Sequence, residues 1–319
     1  MRCRSRHDRA VSVITTSGLT MQFGPHRALD ALDVTVESGV TGLVGANGAG
    51  KTTLMSILLG LRSPTAGTAT VLGLDPAHDG PTLRSLVGYG PERNQFPEDM
   101  PASDFVKHLA EVRGMPKQEA RARASDALWL VGLGEERFRA LGTMSTGQRQ
   151  RVKLAQAIAA DPSLVFLDEP TDGLDPVQRE EMLALIRQIS TTYGIDVLLS
   201  SHLLEEVERI CDHVVALDSG RLIAQGPLAD LIGNDAGVVV ELVEVDDRPG
   251  ATDQVRASLE AGGLTVRSMH RSFAFEVIGD DADRVADEVR DAVAAAGARI
   301  GRIVRRRRRL EDIFEGADR

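Results

Sequence analysis

The chain has 319 residues, 42% of them hydrophobic, 26% charged and 3% aromatic, with a formal net charge of -10. That length supports about two domains, each with an ordinary buried core. The acidic balance and the scarcity of aromatic stacking platforms argue against a nucleic-acid binder, so no nucleic-acid partner is expected. The two cysteines, Cys3 and Cys211, form neither a metal-ligand spacing nor a disulfide framework. No segment has the roughly 18 consecutive apolar residues of a spanning helix. If the protein serves a membrane, another chain must supply the spans.

In chain order, residues 1–10 form a basic leader without a following apolar stretch and are expected to be disordered. Residues 11–24 and 32–44 are expected as short strands. The second carries Val34, Val36, Val40, Leu43 and Val44, and runs into a Gly-rich turn and an apolar helix, 52–61. A short strand ends at 87–90, and 104–133 has helical spacing. A further helix should open after Ser145 and run to Ala160. Leu164–Asp168 and Val197–Ser201 are apolar enough for parallel strands covered on both faces. Between them, 178–189 is an amphipathic helix with Met182, Leu185, Ile186 and Ile189 on one face. Residues 214–217 and 221–225 flank Asp218-Ser219-Gly220 as a hairpin. Beyond about 233 the order becomes strand 238–245, helix 252–262, strands 264–270 and 272–278, helix 281–297, strand 299–306. That is the split βαβ, ferredoxin-like pattern of a small α+β domain.

Gly45-Ala-Asn47-Gly48-Ala-Gly50-Lys51-Thr52 fits the phosphate-loop pattern, between a strand and a helix as that reading requires. Loop amides and the helix N-terminus would cradle phosphates, Lys51 would reach the outer phosphates of ATP, and the Thr52 hydroxyl would hold Mg²⁺. Thr53 follows in the same turn. The strand 164–168 delivers Asp168 to its tip, where a carboxylate can hold Mg²⁺ through water, and Glu169 next to it can act as a general base. Ser145, in Met144-Ser145-Thr146-Gly147-Gln148, reads equally as a helix cap and as part of a second anion site. His202 follows a buried strand, at the end where open α/β sheets bind ligands.

These motifs, with Gly173-Leu174-Asp175, stand in the order found in ABC-transporter ATPase domains, which residues 12–232 resemble. Met144–Gln148 is similar to that family's LSGGQ signature. The resemblance implies a P-loop NTPase core over 11–233 with a helical subdomain at about 95–160, and an accessory domain at 234–319. It implies an ATP- and Mg²⁺-dependent ATPase that works as a dimer beneath an integral membrane permease, on the inner face of the cell membrane. In the implied ATP sandwich, Lys51 and Thr52 of one copy face Ser145, Gly147 and Gln148 of the other. Glu169 activates water, His202 contacts the γ-phosphate, Asp175 lies at the dimer interface and Phe23 stacks on adenine. The alternative for Phe23 is a core aromatic of an early strand.

Three positions depart from the family pattern. Glu92 stands where a glutamine is usual and adds a charge beside the Mg²⁺ site, Thr146 replaces a signature glycine and Met144 a signature leucine. The ending Leu310-Glu311-Asp312-Ile313-Phe314 resembles that of bacterial drug, antibiotic and polysaccharide exporters. The run Arg305–Arg309 reads as a solvated strand edge, or as a contact for anionic lipid or an acidic partner face. An importer ATPase, a soluble ABC protein and a module that only binds ATP are the alternatives.

Overall fold

The computed structural model describes residues 12–93, 96–232, 237–243, 250–269, 273–279, 281–306 and 309–317; the basic leader 1–10 lies outside them. The chain divides into two compact units, between Leu228 and Ala229. In the first, β1 (Ser12–Phe23), β2 (His26–Leu32), β3 (Thr35–Glu37) and β4 (Val40–Val44) lead to α1 (Lys51–Leu58), β5 (Ala66–Val71), α2 (Gly80–Leu86) and β6 (Val87–Gly90). Three helices follow, α3 (Ala102–Val112), α4 (Lys117–Leu130) and α5 (Thr146–Ile158). Then come β7 (Leu164–Asp168), α6 (Pro176–Tyr193), β8 (Asp196–Ser201), α7 (Leu204–Ile210), β9 (His213–Asp218) and β10 (Arg221–Pro227), and the short α8 (Leu228–Ile232) straddles the division between the units.

Two sheets share one core. β1 pairs antiparallel with β2, β3 and β5. The second sheet has the order β10-β9-β4-β8-β7-β6, parallel from β9 to β6 with β10 as an antiparallel edge. Leu54, Met55 and Leu58 of α1 join Ile14, Leu29 and Val71 of the first sheet to Leu43, Phe166 and Leu198 of the second in a single buried cluster. Burying such side chains stabilises the unit by roughly 1.5–3 kcal/mol each. Val44 stands opposite Ser201, Asp168 opposite Ser200 and Gly90 opposite Leu167. The carboxyl ends of β4, β6, β7 and β8 are therefore level, at the edge where such sheets bind ligands.

The expected strand 32–44 is two strands in different sheets, β3 and β4. The break falls at Gly39, with φ of 119°, where a Cβ would lie 2.6 Å from Asp212 Oδ2. The expected helical stretch 104–133 is likewise two helices, because Gly114 turns left-handed (φ 91°) and Pro116 caps α4. β2, β5, α2 and α7 have no counterpart in the sequence reading.

The second unit contains β11 (Gly237–Val243), α9 (Ala251–Ala261), β12 (Thr265–Ser268), β13 (Ala274–Ile278), α10 (Ala282–Ala295), β14 (Arg299–Arg305) and α11 (Glu311–Ala317). Its sheet order is β12-β13-β11-β14 with every pair antiparallel. Val240, Phe275 and Val277 pack there against Val255 of α9 and Val289 of α10. Arg306 does not lie on a solvated edge. It is 8% exposed, with Nε donating to Glu276 at 2.9 Å and both terminal nitrogens donating to Asp312 at 2.8 Å. Arg267 Nη1 (3.2 Å) and the Arg309 amide (2.9 Å) also donate to Asp312. Arg305 pairs with Asp283 at 2.6 Å, and Arg307 and Arg308 lie outside the described residues.

Asp312 thus fastens α11 to the sheet. Burial would raise its pKa, but the guanidinium of Arg306, the Arg309 amide and Arg267 outweigh burial and hold it at about 2. Asp312→Ala leaves the buried Arg306 guanidinium with Glu276 alone and should cost about 3 kcal/mol. Amide hydrogen exchange in β11 and β13 should accelerate accordingly. Because the folded pKa lies below the unfolded value of about 3.9, the contribution is full above that pH and fades as pH falls toward 2.

Candidate functional site

β4 runs directly into the glycine-rich loop, and α1 starts at Lys51. Gly45 has φ of 153°, and a Cβ there would lie 2.3 Å from the Leu217 carbonyl oxygen. At Gly50, with φ of 104°, a Cβ would lie 2.8 Å from the Ala28 carbonyl oxygen. The two glycines let the backbone pass where no side chain fits and turn into the helix. The loop borders a cavity of about 620 Å³. Asn47, Gly48, Gly50, Lys51, Thr52 and Thr53 line it from the loop and first helical turn; Phe23, Glu92, Asp168, Glu169 and His202 line it too. Eleven of the residues singled out by sequence therefore meet in one place.

Asp168 is 2% exposed at the tip of β7. Its Oδ1 accepts a hydrogen bond from Ser200 Oγ at 2.6 Å, and its Oδ2 lies 3.4 Å from Thr52 Oγ1. The same Ser200 oxygen accepts the Glu169 amide at 3.0 Å. Glu169 sits in the left-handed region, φ 47°, a strained conformation for a residue with a side chain. That turn places its carboxylate 2.8 Å from His202 Nδ1 and 3.6 Å from Lys51 Nζ. Lys51 itself donates to the Gly45 carbonyl at 2.6 Å. Behind the site, Glu206 accepts from Thr171 (2.8 Å) and Ser201 (2.9 Å), pinning the segment after β7 to the end of β8.

Burial and the negative charges of Asp168 and Glu92 push the Tyr89 phenol up to about 12, so it stays neutral. Burial pushes Lys153 down to about 8 although Asp168, Asp172 and Glu92 pull the other way. Thr52 and Asp168 offer a hydroxyl and a carboxylate side by side, with Glu92 on the cavity wall. Among the described residues there is no cluster of three or more side chains able to cage a metal. Such a sparse, all-oxygen donor set fits Mg²⁺, which takes few protein oxygens and completes its shell with phosphate and water.

Ser145, Gly147, Gln148 and Asp175 do not line this cavity. Ser145 caps α5 in a reciprocal box with Gln148: its Oγ accepts the Gln148 amide at 3.3 Å, while Gln148 Oε1 accepts the Ser145 amide at 3.0 Å. Asp175 caps α6 through the Gln178 amide at 2.9 Å. Phe23 is 39% exposed, not a core aromatic, and carries the Arg62 guanidinium 5.3 Å from its ring centroid. The sequence reading missed Ser200, His26 and Asp172 as site residues. Ser200 had a usable signal, as one of two serines that close a largely apolar buried strand.

A phosphate loop, a Thr–Asp pair and a Glu–His pair on adjacent strand ends define a P-loop ATPase. Residues 29–172 match the family described as "ABC transporter". An uncharacterized ABC transporter ATP-binding protein of Synechocystis is 40% identical over 67% of the chain, which spans 61% of that relative. The daunorubicin resistance ATP-binding protein DrrA3 of Streptomyces coeruleorubidus is 31% identical over 96% of the chain and 95% of its own length. The methionine import ATP-binding protein MetN of Mesorhizobium japonicum is 32% identical over 87% of the chain and 76% of its own length. Among solved structures, cbiO1 of Clostridium perfringens, part of the ABC transporter complex cbiONQ, superposes with a TM-score of 0.63. The two are 27% identical, over 69% of this chain and 90% of that one. The chain belongs to the ABC transporter family, among its ATP-binding subunits.

Ser200→Ala should leave the Glu169 amide and Asp168 each short of a buried partner, a loss of roughly 1–3 kcal/mol. ATP hydrolysis by the purified chain should fall about tenfold while ATP binding changes little, as measured by phosphate release and nucleotide titration.

Proposed function

We propose that the chain is the ATP-hydrolysing subunit of an exporter for a drug, antibiotic, lipid or polysaccharide, acting through a separate membrane permease. The observation that carries the hydrolytic part is the 2.8 Å contact between His202 Nδ1 and Glu169 Oε2, with Lys51 on the other carboxylate oxygen at 3.6 Å. In this reading the loop amides and the N-terminus of α1 hold the phosphates of ATP, and Lys51 turns from the Gly45 carbonyl to the outer phosphates. Phe23 offers the exposed face of its ring to adenine. Thr52 and Asp168, with Glu92, would hold Mg²⁺, which neutralises developing phosphate charge when bound. Glu169 takes the proton of the attacking water, and His202 fixes that carboxylate and reaches the γ-phosphate.

Ser145, Gly147 and Gln148 stand outside the cavity yet form a helix N-terminus suited to an anion. They are best used by a second copy, whose ATP they would close over, and Asp175 lies on the same face in that arrangement. Among the described residues no helix is long and apolar enough to cross a membrane. In this reading the chain sits on the inner face of the cell membrane, bound to the permease. A largely apolar cleft of about 430 Å³ offers a seat for it, between Leu59 and Leu61 after α1 and Val112 and Arg113 at the end of α3. Tyr89 lines that cleft and continues toward Glu92, so a partner seated there would press on the ATP site. The second unit, with its β-α-β-β-α-β order and antiparallel sheet, we read as a ferredoxin-like accessory domain.

Likeness to DrrA3 along almost the whole chain favours export; likeness to MetN keeps import as the second reading. Glu169→Gln removes the base and keeps the shape. It should abolish turnover while ATP stays bound and the chain shifts to a dimer in gel filtration with Mg-ATP. Unchanged hydrolysis by that variant would remove Glu169 from the mechanism.

A further inference from the structure

We propose that Lys153 is a positioning residue for ATP hydrolysis: its ammonium holds the backbone of the loop after β6 at Glu92 and balances the carboxylate that stands there. The inference rests on the reading of Glu92 as part of the Mg-ATP site. Lys153 and Lys51 are the two buried lysines among the described residues, at 3% and 7% exposure, and both belong to this site. Lys51 comes from the phosphate loop, and Lys153 comes from α5, the helix that Ser145 caps.

Lys153 Nζ donates to the Glu92 carbonyl oxygen at 2.9 Å. The carboxylates whose fields reach it are those of Asp168, Asp172 and Glu92, the acidic groups of the cavity wall other than Glu169. Burying an ammonium is costly, and here the Glu92 carbonyl and the three carboxylates offset part of that cost. On the same helix Gln150, 4% exposed, donates to the Asp172 carbonyl at 2.8 Å. One rigid helix thus grips two separate segments of the cavity, the Glu92 loop and the segment following β7.

The arrangement accounts for the glutamate at position 92. A carboxylate in that place joins Asp168, Glu169 and Asp172 around one cavity, and like charges so gathered repel. Lys51 is committed to the phosphate loop and Glu169. Lys153 supplies the second cation, from a position where it does not obstruct the cavity: it does not line it. With a neutral amide at 92, the demand for that charge falls. The chemistry therefore predicts that the two side chains are energetically coupled, not merely adjacent.

The test is a double-mutant cycle on the full chain, with kcat, KM for ATP, Mg²⁺ dependence and Tm measured for wild type, Lys153→Met, Glu92→Gln and the double variant. Lys153→Met should lower kcat about tenfold while KM for ATP moves less than about threefold. Adding Glu92→Gln should recover about fivefold of that loss. If Lys153→Met does not fold, Lys153→Gln keeps a donor for the Glu92 carbonyl without the charge, and Glu92→Gln should rescue it likewise. Wild-type kcat in the lysine variants overturns the proposal. So does an equal loss in the Glu and Gln backgrounds, since that is what lost packing alone would give. Failure of the underlying reading shows separately: Glu92→Gln alone would then leave both kcat and the Mg²⁺ dependence unchanged.

Discussion

The register of the parallel strands is the constraint on which the site depends. Asp168 stands opposite Ser200 and Val44 opposite Ser201, so the phosphate loop, the acidic strand tip and His202 emerge at one level. A slip of one residue would turn each of these side chains to the other face of the sheet. Register is fixed in turn by burial on both faces: Leu43, Phe166 and Leu198 pack in one core with α1, and the buried Ser200 hydroxyl is satisfied by Asp168 and Glu169. The hydroxyl of Ser200 converts strand pairing into side-chain geometry. It lets Glu169 adopt a left-handed backbone and still keep its amide bonded.

Charge is the second organising theme. Four carboxylates, Glu92, Asp168, Glu169 and Asp172, surround one cavity, and two buried ammonium groups answer them. Such a balance favours a ligand that brings both phosphate charge and a divalent cation, since each half of the site then finds its complement. The second unit solves a comparable problem structurally. Arg306, Glu276 and Asp312 bury opposite charges so as to hold a short terminal helix whose own length gives it little independent stability.

The chemistry of the site was legible in the sequence because its parts are contiguous. Gly45–Thr52 and Leu164–Glu169 each carry loop, charge and flanking element within a few residues. Strand boundaries were harder to see. Val34, Val36, Val40 and Val44 read as one apolar run although Gly39 breaks it, since pattern alone does not show that two strands belong to different sheets. The Gly114–Pro116 break did have a signal in the sequence, outweighed by the helical spacing on either side. Lys153 and Arg306 were not legible, because a helical lysine and an arginine in a run acquire meaning only from partners far away in the chain. Arg306 was read with its neighbours as surface charge; its partners Glu276 and Asp312 are contributed by β13 and α11.

In the proposed role, this ATPase drives a separate membrane protein. The most direct test is purification of the tagged chain from its native membranes in mild detergent, with mass spectrometry of the proteins retained. A multi-span membrane protein should be retained in stoichiometric amount, and its presence should raise ATP hydrolysis above that of the chain alone. Recovery of the chain without any membrane protein, or with ribosomal or DNA-repair proteins in its place, would contradict it.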